Sequence, residues 1–375
     1  MLPLSLYIHI PWCIRKCPYC DFNSHKSPEV LPEHAYVEAL VDDLKADLTL
    51  YPARELISIF IGGGTPSLFS AEAYRILFEE LRRILPFAPD IEITMEANPG
   101  SVEQKRFTEY RQLGINRLSL GIQSFNSEHL KKLGRVHDAQ QAHSAINAAR
   151  NAGFTNLNLD LMHGLPKQTV EQGLEDLRTA LSYKPEHVSW YQLTIEPNTI
   201  FYKEQPALPS EDEACELEEQ GFKLLREAQF KRYEISAFAQ PAKQARHNLN
   251  YWLFGDYYGI GAGAHGKITT AAGVHRTRKH RQPKDYQSND KPYLAGVETV
   301  PSKELIFEFM LNTTRLEQPI PLTLFQETTG LTPSELLPKL LIAQEKKLIS
   351  LTDTSWQVTD LGRRYTNNLQ ALFLP

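Results

Sequence analysis

The chain has only 4 cysteines in 375 residues, three of them crowded together near one end, which excludes the disulfide framework of a secreted domain. Long apolar runs are missing too: no window approaches the roughly 18 consecutive apolar residues of a membrane-spanning helix. The opening MLPLSLYIHI has no basic stretch followed by a cleavage site, so no leader is expected. Nor is there an excess of positive charge. With 40 Lys and Arg against 45 Asp and Glu, the formal charge is -5, and no global electrostatic case exists for gripping nucleic-acid phosphates or an anionic membrane. Repeats and low-complexity segments are also absent. The 42% hydrophobic and 23% charged composition is that of a globular cytoplasmic protein with one large domain and a small one.

What is there begins with LYIHIPWCIRKCPYCDFNSHK, which sets Cys13, Cys17 and Cys20 at C-x3-C-x2-C spacing behind an apolar strand. A closed zinc site usually takes four ligands in two separated pairs, whereas three thiolates on one tight loop suit an open metal centre. Iron–sulfur clusters favour cysteine thiolates, and a cubane held by three of them leaves one iron for an exchangeable ligand. Zinc closed by His9 or His25 stays open as the alternative. Cys215, alone in the acidic SEDEACELEEQGFKLLREA, is expected to be a buried helix residue.

Apolar runs of four to eight residues then alternate with amphipathic stretches, the pattern of βα units on a parallel sheet. Six units can be followed, starting at LSLYIHI, LISIFI, IEITMEA, NRLSLGIQS, NLNLDLMHGLP and HVSWYQLTIEP. A doubly wound sheet and an open barrel both fit six units. The polar and glycine-rich interruptions fall at strand C-terminal ends, where β/α barrels gather their chemistry, so a partial (βα)6 TIM-like barrel is expected over residues 1–235. Residues 236–300 read as an insert completing the barrel mouth, with the glycine-rich GDYYGIGAGAHGK and the basic loop HRTRKHRQPKDYQ. Residues 301–375 read as a small three-helix module with a β wing. Winged modules often bind DNA, but only a modest Lys cluster ends the last long helix, so packing is the expected role.

The cysteine loop, with Tyr19 just before its last cysteine, resembles the radical S-adenosylmethionine superfamily. That resemblance implies a 4Fe-4S cluster on Cys13, Cys17 and Cys20 whose open iron binds S-adenosylmethionine. Further residues are similar to the superfamily's cofactor ring. FIGGGTPS brings Gly62, Gly63, Gly64 and Thr65 after strand two, where the lack of side chains lets backbone approach a ligand; a tight turn is the plainer reading. Glu96 in MEANP ends strand three, where a carboxylate can accept ribose hydroxyls; a solvent-facing Glu is its alternative. Tyr7, Gln123, Arg135 in KKLGRVH and Asp160 in NLDLMHG complete the ring. An unpaired buried carboxylate is costly, and Arg135 is the expected partner of Asp160.

In order and spacing, YIHIPWC, GGGTPS, MEANP, LSLGIQSF, LGRVH, NLDLMHGLP and GIGAGAHG resemble the oxygen-independent coproporphyrinogen III oxidase family over nearly the whole chain. Its oxidase subgroup resembles C-x3-C-x2-C-x-C and carries a long N-terminal extension. Here Phe22 stands at the fourth cysteine position and only Met1 to Ser5 precede strand one. The family's heme-chaperone subgroup is similar at both points and carries H-N-x-x-Y-W, met here as His247, Asn248, Tyr251 and Trp252. By chemistry alone, an imidazole can ligate iron or bond a propionate, Tyr and Trp offer apolar faces, and HRTRKHRQPK can pair with propionates; a packed corner and a solvated loop are the bland readings. The expectation is a heme chaperone. Its partners are heme, a recipient haemoprotein of respiratory type and an electron donor such as flavodoxin or ferredoxin, met in the cytoplasm or peripherally at a membrane. Oxidative decarboxylation of coproporphyrinogen III is the alternative, and a radical enzyme acting on RNA a distant third.

Overall fold

The computed structural model describes residues 2–375. Six strands, β1 (Leu4–Ile10), β2 (Leu56–Gly63), β3 (Phe87–Ala97), β4 (Arg117–Gln123), β5 (Leu157–His163) and β6 (His187–Gln192), lie side by side in chain order and all parallel. They run as near-continuous buried segments because both faces are covered. One alternating set, Leu4, Leu6, Ile8, Ile59, Ile61, Leu118 and Leu120, enters the main apolar core. The other set is polar: Ser5 and Ser58 share a hydrogen bond of 2.7 Å although both are buried.

Helices follow each strand: α1 (Glu33–Leu50), α2 (Ala71–Ile84), α3 (Ser101–Gln112), α4 (Ser127–Lys132) with α5 (Ala139–Asn151), α6 (Val170–Ser182), and α7 (Ile200–Glu204) with α8 (Glu211–Glu227). Several starts are fixed by reciprocal caps, Asp138 with Gln141, Thr169 with Gln172 and Ser210 with Glu213. Each cap satisfies amides that the first turn leaves bare. Helix α8 buries Leu217, Gly221 and Leu225, spaced four apart on one face. Cys215 lies two residues, about 200°, from Leu217 on that helix, and it is exposed. The expectation of a buried Cys215 is thereby corrected.

The sheet does not stop at six strands. A hairpin of β7 (Lys231–Glu234) and β8 (Ala237–Ala239) adds antiparallel to β6 and crosses the boundary expected at 235. At the other edge β9 (Asp256–Ile260) pairs parallel to β1, followed by antiparallel β10 (His265–Thr270), β11 (Gly273–Lys279) and β12 (Leu294–Thr299), giving a 12-stranded open sheet. The segment 236–300 therefore extends the barrel wall as well as its mouth. The run expected to be a basic loop is half strand: Lys279 is buried against Asp43 and Asp47 of α1, and Arg276 pairs with Glu308 at 2.6 Å.

Helix α9 (Arg246–Trp252) packs on the barrel, and α10 (Pro283–Tyr286) covers α1 through Tyr286, whose hydroxyl donates to Asp43 Oδ2 at 2.7 Å. Helices α11 (Ser302–Thr313), α12 (Leu322–Thr329) and α13 (Pro333–Glu345) and a three-stranded wing enclose a second core around Phe309, Phe325, Leu340 and Trp356. Phe254 and Val274 belong to that second core, so the extension and the terminal module share an interior. Among the described residues, no helix is long and apolar enough to cross a membrane.

Candidate functional site

The C-terminal ends of the strands converge on a cavity of about 460 Å³, lined by Cys13, Cys17, Tyr19, Cys20, Gly63, Gly64, Thr65, Glu96, Gln123, Arg135 and Asp160. Of the residues expected around the cofactor from the sequence, Gly62 and Tyr7 stand outside this lining, Tyr7 in the wall of a neighbouring cavity.

The cysteine loop is tethered at both ends. The two-residue strand Trp12–Cys13 pairs with His25–Lys26, and the Cys20 amide donates to Cys17 O at 3.1 Å. His9 Nε2 stands 2.8 Å from Asn23 O and Nδ1 2.9 Å from the Tyr7 hydroxyl. A carbonyl only accepts, so Nε2 carries the proton and Nδ1 accepts from Tyr7. Burial pushes the His9 pKa down to about 4. His25 Nε2 donates to Arg281 O at 3.2 Å. His9 therefore has no free nitrogen to close a zinc site, whereas His25 is engaged through Nε2 alone. Among the described residues no three His, Cys, Asp or Glu groups are arranged to hold one metal ion. Burial raises the Cys13 and Cys20 pKa values; metal ligation would draw off those protons.

The glycine triplet is shaped first by packing. Gly63 has φ +110°, and a Cβ there would stand 2.5 Å from the His9 ring; at Gly64 it would stand 2.5 Å from Trp12 O. These close approaches bring the end of β1 and the cysteine loop down onto β2. The Gly63, Gly64 and Thr65 amides donate to Glu96 Oε2 (3.1 Å), Ile10 O (2.7 Å) and Trp12 O (2.8 Å). Because these donors are turned inward, the triplet suits a ligand that itself donates, such as an ammonium group.

Two acids face the cavity. Burial, and then the charge of Asp160, pushes the Glu96 pKa up to about 8, partly offset by the Gly63 amide. Asp160 is also raised by burial, against hydrogen bonds from Ser119 (2.7 Å) and Asn158 (2.8 Å). The expected Arg135–Asp160 pair does not form. Arg135 donates instead to Asn98 Oδ1 (2.6 Å), Gly121 O (3.0 Å) and Cys17 Sγ (3.5 Å), and the neutral donors Ser119 and Asn158 serve Asp160. Gln123 sits at φ +67°, a sparsely populated conformation for a side-chain-bearing residue, and its Oε1 accepts from the Tyr191 hydroxyl at 2.9 Å. Sequence reasoning missed Asn98, Ser119 and Tyr191; for Asn98 and Tyr191 a place at or just after a strand's C-terminal half was the available signal, whereas Ser119 stands third in β4 and carried none.

The motif His247, Asn248, Tyr251, Trp252 falls on α9. His247 is 1% exposed, stacked on Phe60 at 5.0 Å, with Nε2 2.8 Å from the Tyr251 hydroxyl and Nδ1 3.3 Å from Ser58 Oγ. Burial pushes its pKa down to about 3. His247, expected to contact heme iron or a propionate, has both ring nitrogens within hydrogen-bond distance of protein groups inside the sheet. Trp252 lies under the Arg315 guanidinium at 4.2 Å. Tyr251 is the member of the motif that reaches the second cavity, of about 500 Å³, which shares Phe22, Gly63 and Glu96 with the first.

A partial barrel with three loop cysteines, a glycine turn and two acids at its mouth defines a radical SAM protein. The radical SAM superfamily matches residues 7–180, and the HemN C-terminal domain matches residues 300–365. A solved structure of coproporphyrinogen III oxidase (HemN) from Escherichia coli, described as a radical SAM enzyme, aligns with a TM-score of 0.82 at 25% identity over 99% of this chain and 90% of that one. The heme chaperone HemW of Haemophilus influenzae is 49% identical over 99% of this chain and 98% of its own length, and that of Escherichia coli is 48% identical over the same shares. HemW of Bacillus subtilis is 35% identical over 99% of both. The chain belongs to the HemW family of the radical SAM superfamily, and the superfamily implies a 4Fe-4S cluster and S-adenosylmethionine.

Proposed function

We propose that this chain is a heme chaperone: it binds heme beside a 4Fe-4S cluster and S-adenosylmethionine, and delivers heme to a recipient haemoprotein such as a respiratory enzyme. The observation that carries this reading is the position two residues past the last cluster cysteine. Phe22 fills it, 60% exposed, at the rim shared by both cavities, in a chain whose full-length relatives are heme chaperones.

Cys13, Cys17 and Cys20 would hold the cluster, which supplies one-electron chemistry when reduced by a donor of flavodoxin or ferredoxin type. Arg135 lays its charge against Cys17 and orients Asn98 beside Thr65, which accepts from Asn98 Nδ2 at 3.1 Å. Glu96 would accept hydrogen bonds from ribose hydroxyls, Gly63 and Gly64 would flank the ammonium end, and Tyr19, Gln123 and Asp160 would close the remaining walls. The same ring would fit a coproporphyrinogen III oxidase, so function turns on what the neighbouring cavity takes.

Anaerobic reconstitution tests the reading directly. The parent and Cys215→Ser should each hold about four irons, Cys13→Ser, Cys17→Ser and Cys20→Ser should lose them, and the parent should bind heme without turning over coproporphyrinogen III. Loss of iron from the Cys215 variant, or a parent that binds no heme, would contradict it.

A further inference from the structure

We propose that His265 ligates the heme iron in the second cavity, with Arg278 and Arg281 receiving the propionates. The inference rests on the heme-chaperone reading and adds a place and a ligand set to it. The cavity, about 500 Å³, falls in the range of sites that bury small ligands and cofactors, and its walls include Tyr7, Phe22, Tyr251, Tyr257, His265 and Arg281.

The aromatic wall is rigid. Tyr251 and Tyr257 meet edge to face with ring centroids 4.4 Å apart. Tyr251 is pinned through its hydroxyl by His247, and Tyr257 accepts from Arg276 Nη1 at 3.0 Å. Apolar faces on fixed rings suit a flat macrocycle, because little side-chain freedom is lost when it enters. On this view His247 is a positioning residue: it sets Tyr251 from behind.

Three histidines stand at or behind this wall, and their hydrogen bonds choose between them. His9 has both ring nitrogens engaged, by Tyr7 and Asn23. His247 has both engaged, by Ser58 and Tyr251. The ring of His265 is exposed at the cavity edge and free of hydrogen bonds to other described residues. The glycine-rich turn puts it there. Gly263, at φ +84°, lies so close to the cysteine loop that a Cβ would stand 2.2 Å from Asn23 Nδ2, which brings the start of β10 to the mouth.

The charges beside His265 suit a dianionic ligand. Arg278 is its cross-strand partner in the β10–β11 ladder, and both are exposed, so the guanidinium and the imidazole share one face. Arg281 lines the cavity itself, its backbone carbonyl tied down by Asn23 and His25. Guanidinium groups are matched to carboxylates, and a neutral imidazole is a common axial ligand of heme iron. Because the two cavities share Phe22, Gly63 and Glu96, heme here would touch the wall of the cofactor site.

The test titrates hemin into the anaerobically reconstituted full chain, with absorbance and electron paramagnetic resonance reading the iron and metal analysis reading the cluster. His265→Ala should change the Soret band and weaken binding about tenfold or more, added imidazole should restore the parent band, and His265→Gln should behave like the alanine variant. Arg281→Glu should weaken binding with the axial signature unchanged, and His247→Ala should retain that signature. Cluster iron should stay at the parent value throughout. A parent that binds heme while His265→Ala keeps the parent spectrum and affinity overturns this placement alone; a parent that binds no heme overturns the chaperone reading and the placement with it.

Discussion

At the residue scale, Glu96 carries the most testable chemistry. Its pKa of about 8 stands above the ordinary 4.5 through burial and the neighbouring Asp160. Between those values the folded ligand-free chain keeps a proton that the unfolded chain has released, so this group's contribution to stability falls as pH rises from 4.5 to 8. Glu96→Gln removes that slope. Thermal unfolding of the ligand-free protein should show the variant gaining on the parent near pH 8 and gaining little near pH 4.5. The same substitution should weaken S-adenosylmethionine binding about tenfold, since a hydrogen bond to a charged group contributes about 1.5–3 kcal/mol. Calorimetry returning the parent affinity would detach Glu96 from the cofactor.

At the scale of elements, α9 carries a motif visible in the sequence whose histidine the fold turns into the sheet interior. His247→Ala would remove a ring stacked on Phe60 and leave the Tyr251 hydroxyl without its His247 partner, while Ser58 keeps Ser5. A loss of about 2–4 kcal/mol follows from cavity and hydrogen-bond terms. A denaturant midpoint equal to the parent's would refute the enclosed geometry. The six parallel strands were legible because apolar residues repeat along each of them, and the cysteine loop because its spacing is local. The partners of buried polar groups were not legible. Whether Asp160 meets Arg135 or Ser119 depends on strand register, and Ser119 opposes Glu96 one strand away, a relation the linear sequence does not display. His265 was hidden for the same reason: it lies 256 positions from His9 in number, yet the two residues are brought together only by β9 pairing with β1. Cys215 was misplaced because an acidic helix signals its apolar stripe weakly.

At the scale of the whole molecule, a buried charge network joins the two sides of the mouth. Lys279 on β11 meets Asp43 and Asp47 on α1; Asp43 also accepts from Tyr286 and from the Gly261 amide, and the Tyr36 hydroxyl donates to His9 O and accepts from the Ala262 amide. Burial pushes the Asp43 pKa up to about 6 against the lowering charge of Lys279. Buried ion pairs of this kind add little net stability, but removing one partner is strongly destabilising, so the network fixes the glycine-rich turn against the strand that leads into the cysteine loop. Two cavities with a common wall are the outcome, one ringed by cysteines and acids, the other by tyrosines, His265 and Arg281. The central claim is that the second cavity holds cargo rather than a substrate to be decarboxylated. The most direct measurement mixes the anaerobic, heme-loaded chain with an apo-haemoprotein, follows heme by absorbance, and assays coproporphyrinogen III in parallel under reducing conditions. The account predicts transfer of heme to the acceptor with no multiple-turnover formation of protoporphyrinogen IX; sustained turnover of coproporphyrinogen III with heme left on the chain would contradict it.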